Sequence, residues 1–239
     1  MKYSLLAIRN SIDFFLRNNL KISRDVSRES QIPERDKKIQ KEFEEFFNLL
    51  PWKDILKKLP SPLLTVTDIG ARNFVFGPVI DRCLERHGRQ AKIHGIEIDA
   101  HRLLWGFHSR ADFGEFYAKK MRSGFFHGMD FLDWKTPTDL ALLLNPFVSK
   151  EPLLSWGLPL SKLQPDRLFK HALATLRPRK GILILSCPSP EELEIAKKLA
   201  KNAGFIEGSQ IFWNPSKNSV QQKPRYGIVY HSDLSSYPI

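Results

Sequence analysis

Acidic residues and a glycine stand at the ends of apolar segments, where a small ligand can be held. Asp68 and Gly70 end the first apolar segment of the central region. A glycine turn after a strand allows close backbone approach to a ligand, because no Cβ intervenes. Glu97 ends the next apolar segment, where a carboxylate can accept hydrogen bonds from both hydroxyls of a ribose. Asp130 follows the third segment and precedes Phe131, which suits polar recognition of an adenine amino group beside apolar cover.

The elements that position these residues are short apolar runs that alternate with helical stretches. This alternation predicts β-α units and a mainly parallel sheet with helices on both faces. Ligands bind such sheets at the carboxyl ends of the strands, which is where the glycine turn and the acids fall. The predicted strands are Leu63 to Asp68, Lys92 to Ile98, Gly124 to Met129, Leu140 to Leu144, Gly181 to Cys187, Phe205 to Trp213 and Tyr226 to His231.

Capping residues and breakers define the later helices and the last strands. One helix is predicted to start near Pro165 and another after Ser189, which can cap it, with Gly204 at its end. The last two strands are joined by the polar segment 214–225, which contains two prolines and no helical periodicity. They are therefore predicted to form an antiparallel pair.

This order of motifs resembles that of the class I S-adenosylmethionine-dependent methyltransferases. The resemblance covers about Leu63 to His231 and includes Leu176 to Gly181 before the fifth strand. It implies a three-layer Rossmann-like sheet, mostly parallel, with an antiparallel C-terminal strand, and S-adenosylmethionine as cofactor. In that family the turn glycine packs near the methionine part of the cofactor, the second acid holds the ribose and the third acid meets the adenine. The implied cofactor-binding residues are Asp68, Gly70, Ala71, Glu97, Ile98, Asp130 and Phe131.

The glycine turn departs from the family pattern. The family repeats glycine at alternate positions after the first, whereas this chain has Arg72 and Phe74, with Gly77 arriving later. An arginine at this position either narrows the pocket or contacts the cofactor carboxylate. A noncatalytic nucleotide- or nucleic-acid-binding module on the same scaffold is therefore the alternative to an enzyme.

The fourth predicted strand runs into Asn145-Pro146-Phe147. The sequence resembles a shortened form of the Asn-Pro-Pro-aromatic loop with which some amino-methyltransferases hold a target nitrogen. An Asn side chain and a proline carbonyl accept hydrogen bonds from the amine, and the ring stacks on the base. Asn-Pro is also an ordinary turn signal, so the loop either binds the acceptor or simply ends the strand. The proline-spaced segment 151–160 that follows is either a pocket cover or a buried connector.

The first sixty residues differ from the rest and are predicted to be a helical accessory segment, with the methyltransferase-like domain at 61–239. Leu5, Ile8, Ile12, Phe15 and Leu16 recur at helical spacing, and the segment 21–41 is rich in charge, which indicates a mobile linker or an exposed helix. No signal peptide or membrane span is predicted, because charged residues interrupt the apolar start of the chain.

Composition narrows the compartment and the partners. The only cysteines, Cys83 and Cys187, lie in apolar stretches, which favours buried thiols and a cytoplasmic location. The seven histidines are dispersed, so no metal site is predicted. The net charge of +11 allows a nucleic acid as methyl acceptor as well as a small molecule. Aromatic and basic residues interleaved at 102–120 fit either nucleic-acid stacking or ordinary helix packing.

Overall fold

A computed structural model describes residues 2–24, 26, 33–216, 219–220 and 224–232. Their strands form one seven-stranded sheet, and helices pack against both of its faces. The strands are β1 (Leu63–Ile69), β2 (Gln90–Ile96), β3 (Gly124–His127), β4 (Leu140–Leu144), β5 (Ile182–Cys187), β6 (Ile206–Trp213) and β7 (Arg225–His231). The α-helices are α1 (Lys2–Leu20), α2 (Glu34–Asn48), α3 (Trp52–Lys57), α4 (Gly77–Arg86), α5 (Arg110–Ala118), α6 (Lys150–Ser155), α7 (Pro165–Leu176) and α8 (Pro190–Ala203).

The strand order is β3-β2-β1-β4-β5-β7-β6. Strands β1 to β5 pair in parallel, whereas β7 lies between β5 and β6 and is antiparallel to both. The predicted α/β class, the mostly parallel sheet and the antiparallel final pair are confirmed. The chain passes from β1 to β2 on one side and returns to β4 on the other, which makes the carboxyl end of β1 the switch point where ligands bind such sheets.

The sheet separates two hydrophobic cores. Leu140 and Leu142 of β4 belong to the core beneath α2, α3 and α4, whereas Ala141 and Leu143 belong to the core beneath α7 and α8. All four side chains are at most 2% exposed. Successive side chains of a strand point to opposite faces, so an entirely apolar strand is the expected sequence when both faces are covered.

Local signals set the ends of the helices that flank the site. Ser189 caps α8 by accepting a hydrogen bond from the Glu192 amide at 3.2 Å, and Gly204 ends the helix with a φ of 100°. Helix α5 begins with a reciprocal capping box between Ser109 and Asp112. This box fixes the start of the helix, and therefore the position of its first residue, Arg110.

Helix α2 corrects the prediction for the segment 21–41. From Glu34 onward the segment is a helix and not a linker, and its exposure is only partial: Asp36, Ile39 and Gln40 are buried, whereas the basic residues between them are exposed. The Gln40 side chain donates to the Val75 carbonyl at 3.0 Å. The second half of α2 contributes buried phenylalanines to the core on this face of the sheet. Apolar residues of α3 belong to the same core, so both helices pack against the sheet. The part of the predicted linker at residues 25 and 27–32 lies outside the described residues.

Helix α1 turns the polar side chains of Asn10 and Arg17 towards the protein, together with the partly buried Leu6 and Phe14. Its apolar side chains Leu5, Ile8, Ile12 and Phe15 are 55 to 69% exposed. On the inner side, the Asn10 amide donates to the carbonyls of residues 154 and 158 at 2.9 and 3.2 Å. Helical spacing predicted the helix but not this orientation. No helix in the described ranges is both long enough and apolar enough to cross a bilayer.

The aromatic residues of the segment 102–120 divide between core and surface. Phe113 and Tyr117 are at most 1% exposed, and the Tyr117 hydroxyl donates to Asp36 at 2.7 Å. The Arg110 side chain is buried as well. Helix packing therefore accounts for Phe113, Tyr117 and Arg110, whereas Phe107 is 70% exposed. Both cysteines are free and buried, as predicted.

Candidate functional site

A cavity of about 740 Å³ opens at the carboxyl ends of the central strands. This volume lies within the range of pockets that enclose small ligands. Most of the predicted site residues are on its wall, whereas Asp68 and Ala71 are buried beside it and do not line it. The predicted residues that line it are Gly70, Glu97, Ile98, Asp130, Phe131, Asn145, Pro146 and Phe147.

Gly70 makes the turn that leaves β1. Its φ is +74°, and no atom lies within 4 Å of the point where a Cβ would stand. The turn is anchored because the amides of Gly70 and Ala71 both donate to the Ile96 carbonyl, at 2.9 and 3.0 Å. An L residue is strained at such a φ, and any side chain would project into open space beside the cavity.

The two residues that replace the family's later glycines behave differently. Arg72 and Phe74 both keep a left-handed backbone, with φ of 56° and 60°. The Phe74 ring is fully buried over Gly95, where a Cβ would come within 2.6 Å of the ring. Phe74 therefore fills the core and leaves the cavity open. Only Arg72 lines the cavity.

Glu97 directly follows β2 and is 4% exposed. Its Oε1 accepts from the Asp99 amide at 2.8 Å and from Arg110 Nη1 at 3.0 Å, while its Oε2 accepts from the Arg72 amide at 2.8 Å. Since each carboxylate oxygen can accept two hydrogen bonds, Oε2 keeps one acceptor site. The carboxylate is thus held in one orientation with capacity for a further donor.

Asp99 is a structural residue. It is fully buried, and Arg17 Nε of α1 lies 3.1 Å from its Oδ1. Arg102 and Arg110 contact its other oxygen. Arg17 also donates to the Gly157 carbonyl at 3.3 Å. Asp99 therefore ties α1 to the site and does not reach the cavity.

Asp130 follows β3 and is held from two sides. Its Oδ1 accepts from the Leu132 amide at 3.1 Å, and its Oδ2 lies 3.0 Å from Lys162 Nζ. The neighbouring Phe131 is 5% exposed and meets the His171 ring edge to face at 5.0 Å. A carboxyl group and an apolar ring thus lie together on the cavity wall.

Asn145 directly follows β4 and has a left-handed conformation with a φ of 56°. Its amide donates to the Ser186 carbonyl at 2.7 Å, and its Oδ1 accepts from Arg225 Nη1 at 3.4 Å. Arg225 is buried, and this burial, together with the charge of Arg72, lowers its pKa to about 10. The sequence did not single out Arg225, which reaches the loop from β7.

The segment 151–160 does line the cavity, through Leu153, Trp156 and Leu158. The Cζ atoms of Arg72 and Arg110 lie 4.7 and 5.6 Å from the centre of the Trp156 ring, within the range of cation–π contacts. Arg72 has no ion-pair partner among the residues that the structure describes. Its guanidinium is therefore a cation on the cavity wall that an anionic group can still pair with.

Asp68 lies beneath the turn and is 1% exposed. Its Oδ2 has no hydrogen-bond partner in the described part of the chain. Burial, together with the charge of Glu97, raises the pKa of Asp68 to about 7. This carboxyl therefore changes its protonation state near neutral pH. Within the described ranges, no group of three or more His, Cys, Asp or Glu side chains is placed to hold a metal ion.

No protein-family model matches the sequence, and no curated protein matches it significantly. Solved structures do match the fold. Magnesium protoporphyrin IX methyltransferase from Synechocystis PCC 6803, with bound S-adenosylmethionine, superposes with a TM-score of 0.54 at 12% identity over 97% of each chain. An S-adenosylmethionine-dependent methyltransferase of Aquifex aeolicus superposes with a TM-score of 0.51 at 13% identity, over 84% of this chain and 100% of the other.

A putative RNA methyltransferase from Pyrococcus horikoshii gives a TM-score of 0.51 at 13% identity, over 77% of this chain and 81% of that one. At such identities the likeness concerns the fold. The chain has the fold of the class I S-adenosylmethionine-dependent methyltransferases, with no subfamily resolved. This confirms the resemblance that the sequence motifs indicated.

Proposed function

We propose that this protein binds S-adenosylmethionine in the cavity and transfers its methyl group to an acceptor. The observation that carries the proposal is the placement of Gly70, Glu97 and Asp130 on one cavity wall, after three adjacent strands. Each residue there has the chemistry for one part of the cofactor. The likeness in fold to S-adenosylmethionine-dependent methyltransferases supports methyl transfer as the class of reaction.

The residues present fit this cofactor. Gly70 leaves open space at the turn, where the methionine part would pack. Glu97 Oε2 retains an acceptor site for a ribose hydroxyl, and Asp130 can accept from an adenine amino group beside Phe131. Arg72 would pair with the cofactor carboxylate, since its guanidinium has no ion-pair partner among the described residues. The departure from glycine at Arg72 thus adds a contact.

The protein's part in the transfer would be alignment and exclusion of water. When bound, S-adenosylmethionine supplies a methyl group already made electrophilic by the sulfonium. Asn145 Oδ1, which also accepts from Arg225, has a second acceptor site for an acceptor N–H. Phe147 and Trp156, with ring centres 6.0 Å apart, provide apolar cover. An amine is the preferred acceptor, because it needs little help from a general base.

Thermal unfolding with S-adenosylhomocysteine tests the proposal without knowledge of the acceptor. A ligand at about a hundred times its Kd adds roughly 2.7 kcal/mol, which for a chain of this size raises Tm by about 5 to 10 °C. ATP and NAD, which share the adenosine, serve as controls and should give smaller shifts. An equal shift with all three ligands would indicate a general nucleotide site, and no shift with any would favour a noncatalytic scaffold.

A further inference from the structure

The outer side of α1 presents an apolar stripe that the exposed Arg9 and Asn19 interrupt. Leu5, Ile8, Ile12, Phe15 and Leu20 are spaced at three to five residues and are 55 to 69% exposed. The stripe runs for about 22 Å along the helix, at 1.5 Å per residue. The opposite side of α1 carries the hydrogen bonds to the protein body, so the apolar side is outermost. Apolar area of this extent on a helix face is typical of a binding surface.

The stripe continues into the loop before α5. Leu16, Leu20, Ile22 and Leu103 line one hollow, together with Asp13, Arg17 and His101. At the tip of this loop, Phe107 has a φ of 62° and its side chain is 70% exposed. A left-handed backbone is unfavourable for a phenylalanine, yet it turns this ring outwards. We call the combined area the α1–loop surface, formed by Leu5, Ile8, Ile12, Phe15, Leu16, Leu20, Ile22, Leu103 and Phe107.

Basic side chains border the α1–loop surface. Arg9, Lys21 and Arg24 are all exposed, and Arg9 lies 3.6 Å from Asp13, one turn further along α1. Arg24 lies between α1 and the loop, where it donates to the Gly106 carbonyl at 3.5 Å. The chain as a whole carries a net charge of +11. The surface therefore combines an apolar centre with a positive rim.

We propose that the α1–loop surface binds the surface of an anionic phospholipid bilayer, with α1 lying in the plane of the membrane. A helix with an exposed apolar face and flanking cations partitions into the boundary between headgroups and acyl chains. Anionic headgroups complement Lys21 and Arg24, which carry the positive charge of the rim beyond the Arg9–Asp13 pair. The stripe projects from a convex helix, which suits a flat, deformable surface. A second copy of the chain, docked by the same face, would bring two positive rims together.

This surface lies next to the cavity wall. Asn10 and Arg17 hydrogen bond to backbone carbonyls at 154, 157 and 158, and the same segment supplies Leu153 and Trp156 to the cavity. A bilayer bound to α1 would therefore be separated from the cavity by one helix layer. The proposal itself does not depend on the methyl transfer.

Co-sedimentation of the full chain with vesicles tests the proposal. We expect binding to mixed phosphatidylcholine–phosphatidylglycerol vesicles, weak binding to pure phosphatidylcholine, and loss of binding in the double variant Ile12→Asp/Phe15→Asp. Both positions are exposed, so this variant should fold, which circular dichroism would verify. The control Leu49→Asp, at a position 50% exposed directly after α2, should bind like the wild type.

Charge reversal tests the electrostatic contribution to membrane binding. Each basic residue near an anionic surface contributes roughly fivefold in affinity, so Lys21→Glu/Arg24→Glu should weaken partitioning about 25-fold or more. Lys53→Glu/Lys57→Glu on α3 makes the same change in net charge at exposed positions and should have a much smaller effect. Failure of the wild type to bind anionic vesicles would overturn the proposal. So would a dimer in light scattering that Ile12→Asp/Phe15→Asp dissociates, since a second copy would then cover the surface.

Discussion

The Arg110 guanidinium lies 3.0 Å from the Glu97 carboxylate, and both side chains are buried at the cavity wall. The arginine comes from the first turn of α5 and the acid from the end of β2. This pair holds one carboxylate oxygen and leaves the other facing the Arg72 amide. The orientation of the proposed ribose ligand therefore depends on a residue outside the motifs that identified it.

Replacement of Arg110 by methionine should destabilise the protein and weaken cofactor binding together. Removal of one partner of a buried ion pair leaves a buried charge and typically costs about 3 to 5 kcal/mol. Urea unfolding measures this cost. The control is Arg122→Met, because Arg122 pairs with Asp81 at 3.4 Å while its side chain is 45% exposed, and such pairs contribute about 1 kcal/mol or less. Equal losses in the two variants would contradict the role given to Arg110.

Glu97→Gln tests the ribose assignment. The amide keeps the size of the side chain but removes the charge, so affinity for S-adenosylhomocysteine should fall about tenfold or more. Isothermal titration gives the affinity. Glu115→Gln, at an exposed position on α5, should leave it unchanged. A Glu97→Gln protein that binds as tightly as the wild type would exclude Glu97 from the cofactor site.

Gly70→Ala tests the turn after β1, and Gly88→Ala is its matched control. Both have a positive φ, +74° and +69°, and a Cβ at either position would meet no atom within 4 Å. Alanine at either position should therefore cost a similar amount of stability, about 1 kcal/mol. Only Gly70 lines the cavity. Gly70→Ala should weaken binding of S-adenosylhomocysteine, and Gly88→Ala should not. The prediction fails if both variants bind alike.

Asp68 should make stability depend on pH. Its folded pKa of about 7 lies above the ordinary value of 3.8, so between these values the folded state binds the proton more tightly. Stabilisation from this group is fully present below pH ~4 and is lost as the pH rises through about 7. The loss amounts to about 4 kcal/mol.

Asp68→Asn should abolish this dependence, so the variant gains stability relative to the wild type as the pH rises from 4 to 8. The difference between the two proteins is the relevant quantity, because histidines such as His94, with a pKa lowered to about 4 mainly by burial, act in the opposite direction. Urea unfolding at several pH values measures it. For Asp133→Asn, at an exposed position, the free energy of unfolding should change with pH as it does for the wild type. The same pH dependence in Asp68→Asn and the wild type would refute the raised pKa of Asp68.

The sequence predicted the parts of the site that strand ends position. Glu97 and Asp130 follow strands, and parallel strands place their carboxyl ends at one edge, so order along the chain was enough. Arg110, Arg225 and Trp156 come from a helix start, the last strand and a connector, and their contacts with the site depend on tertiary packing. The capping box at Ser109 and Asp112 was the one local signal that could have placed Arg110.

The sequence also did not predict which face of α1 points towards the protein. The apolar period of α1 predicted a helix, and an apolar face usually points inwards. Here Asn10 and Arg17 bind buried carbonyl and carboxylate groups on the body, which turns the apolar face outwards. Periodicity identifies a face but not what the face meets. The domain boundary near residue 60 remains a prediction, although α2 and the sheet share a core.

Isothermal titration of the wild-type chain with S-adenosylhomocysteine tests the central claim most directly. The account predicts saturable binding of one ligand per chain, displaced by S-adenosylmethionine, with binding lost when Gly70→Leu fills the open space at the turn. Gly88→Leu carries the same strain away from the cavity and should bind like the wild type. Absence of binding by the folded wild type at millimolar ligand, or unchanged binding by Gly70→Leu, would contradict the account.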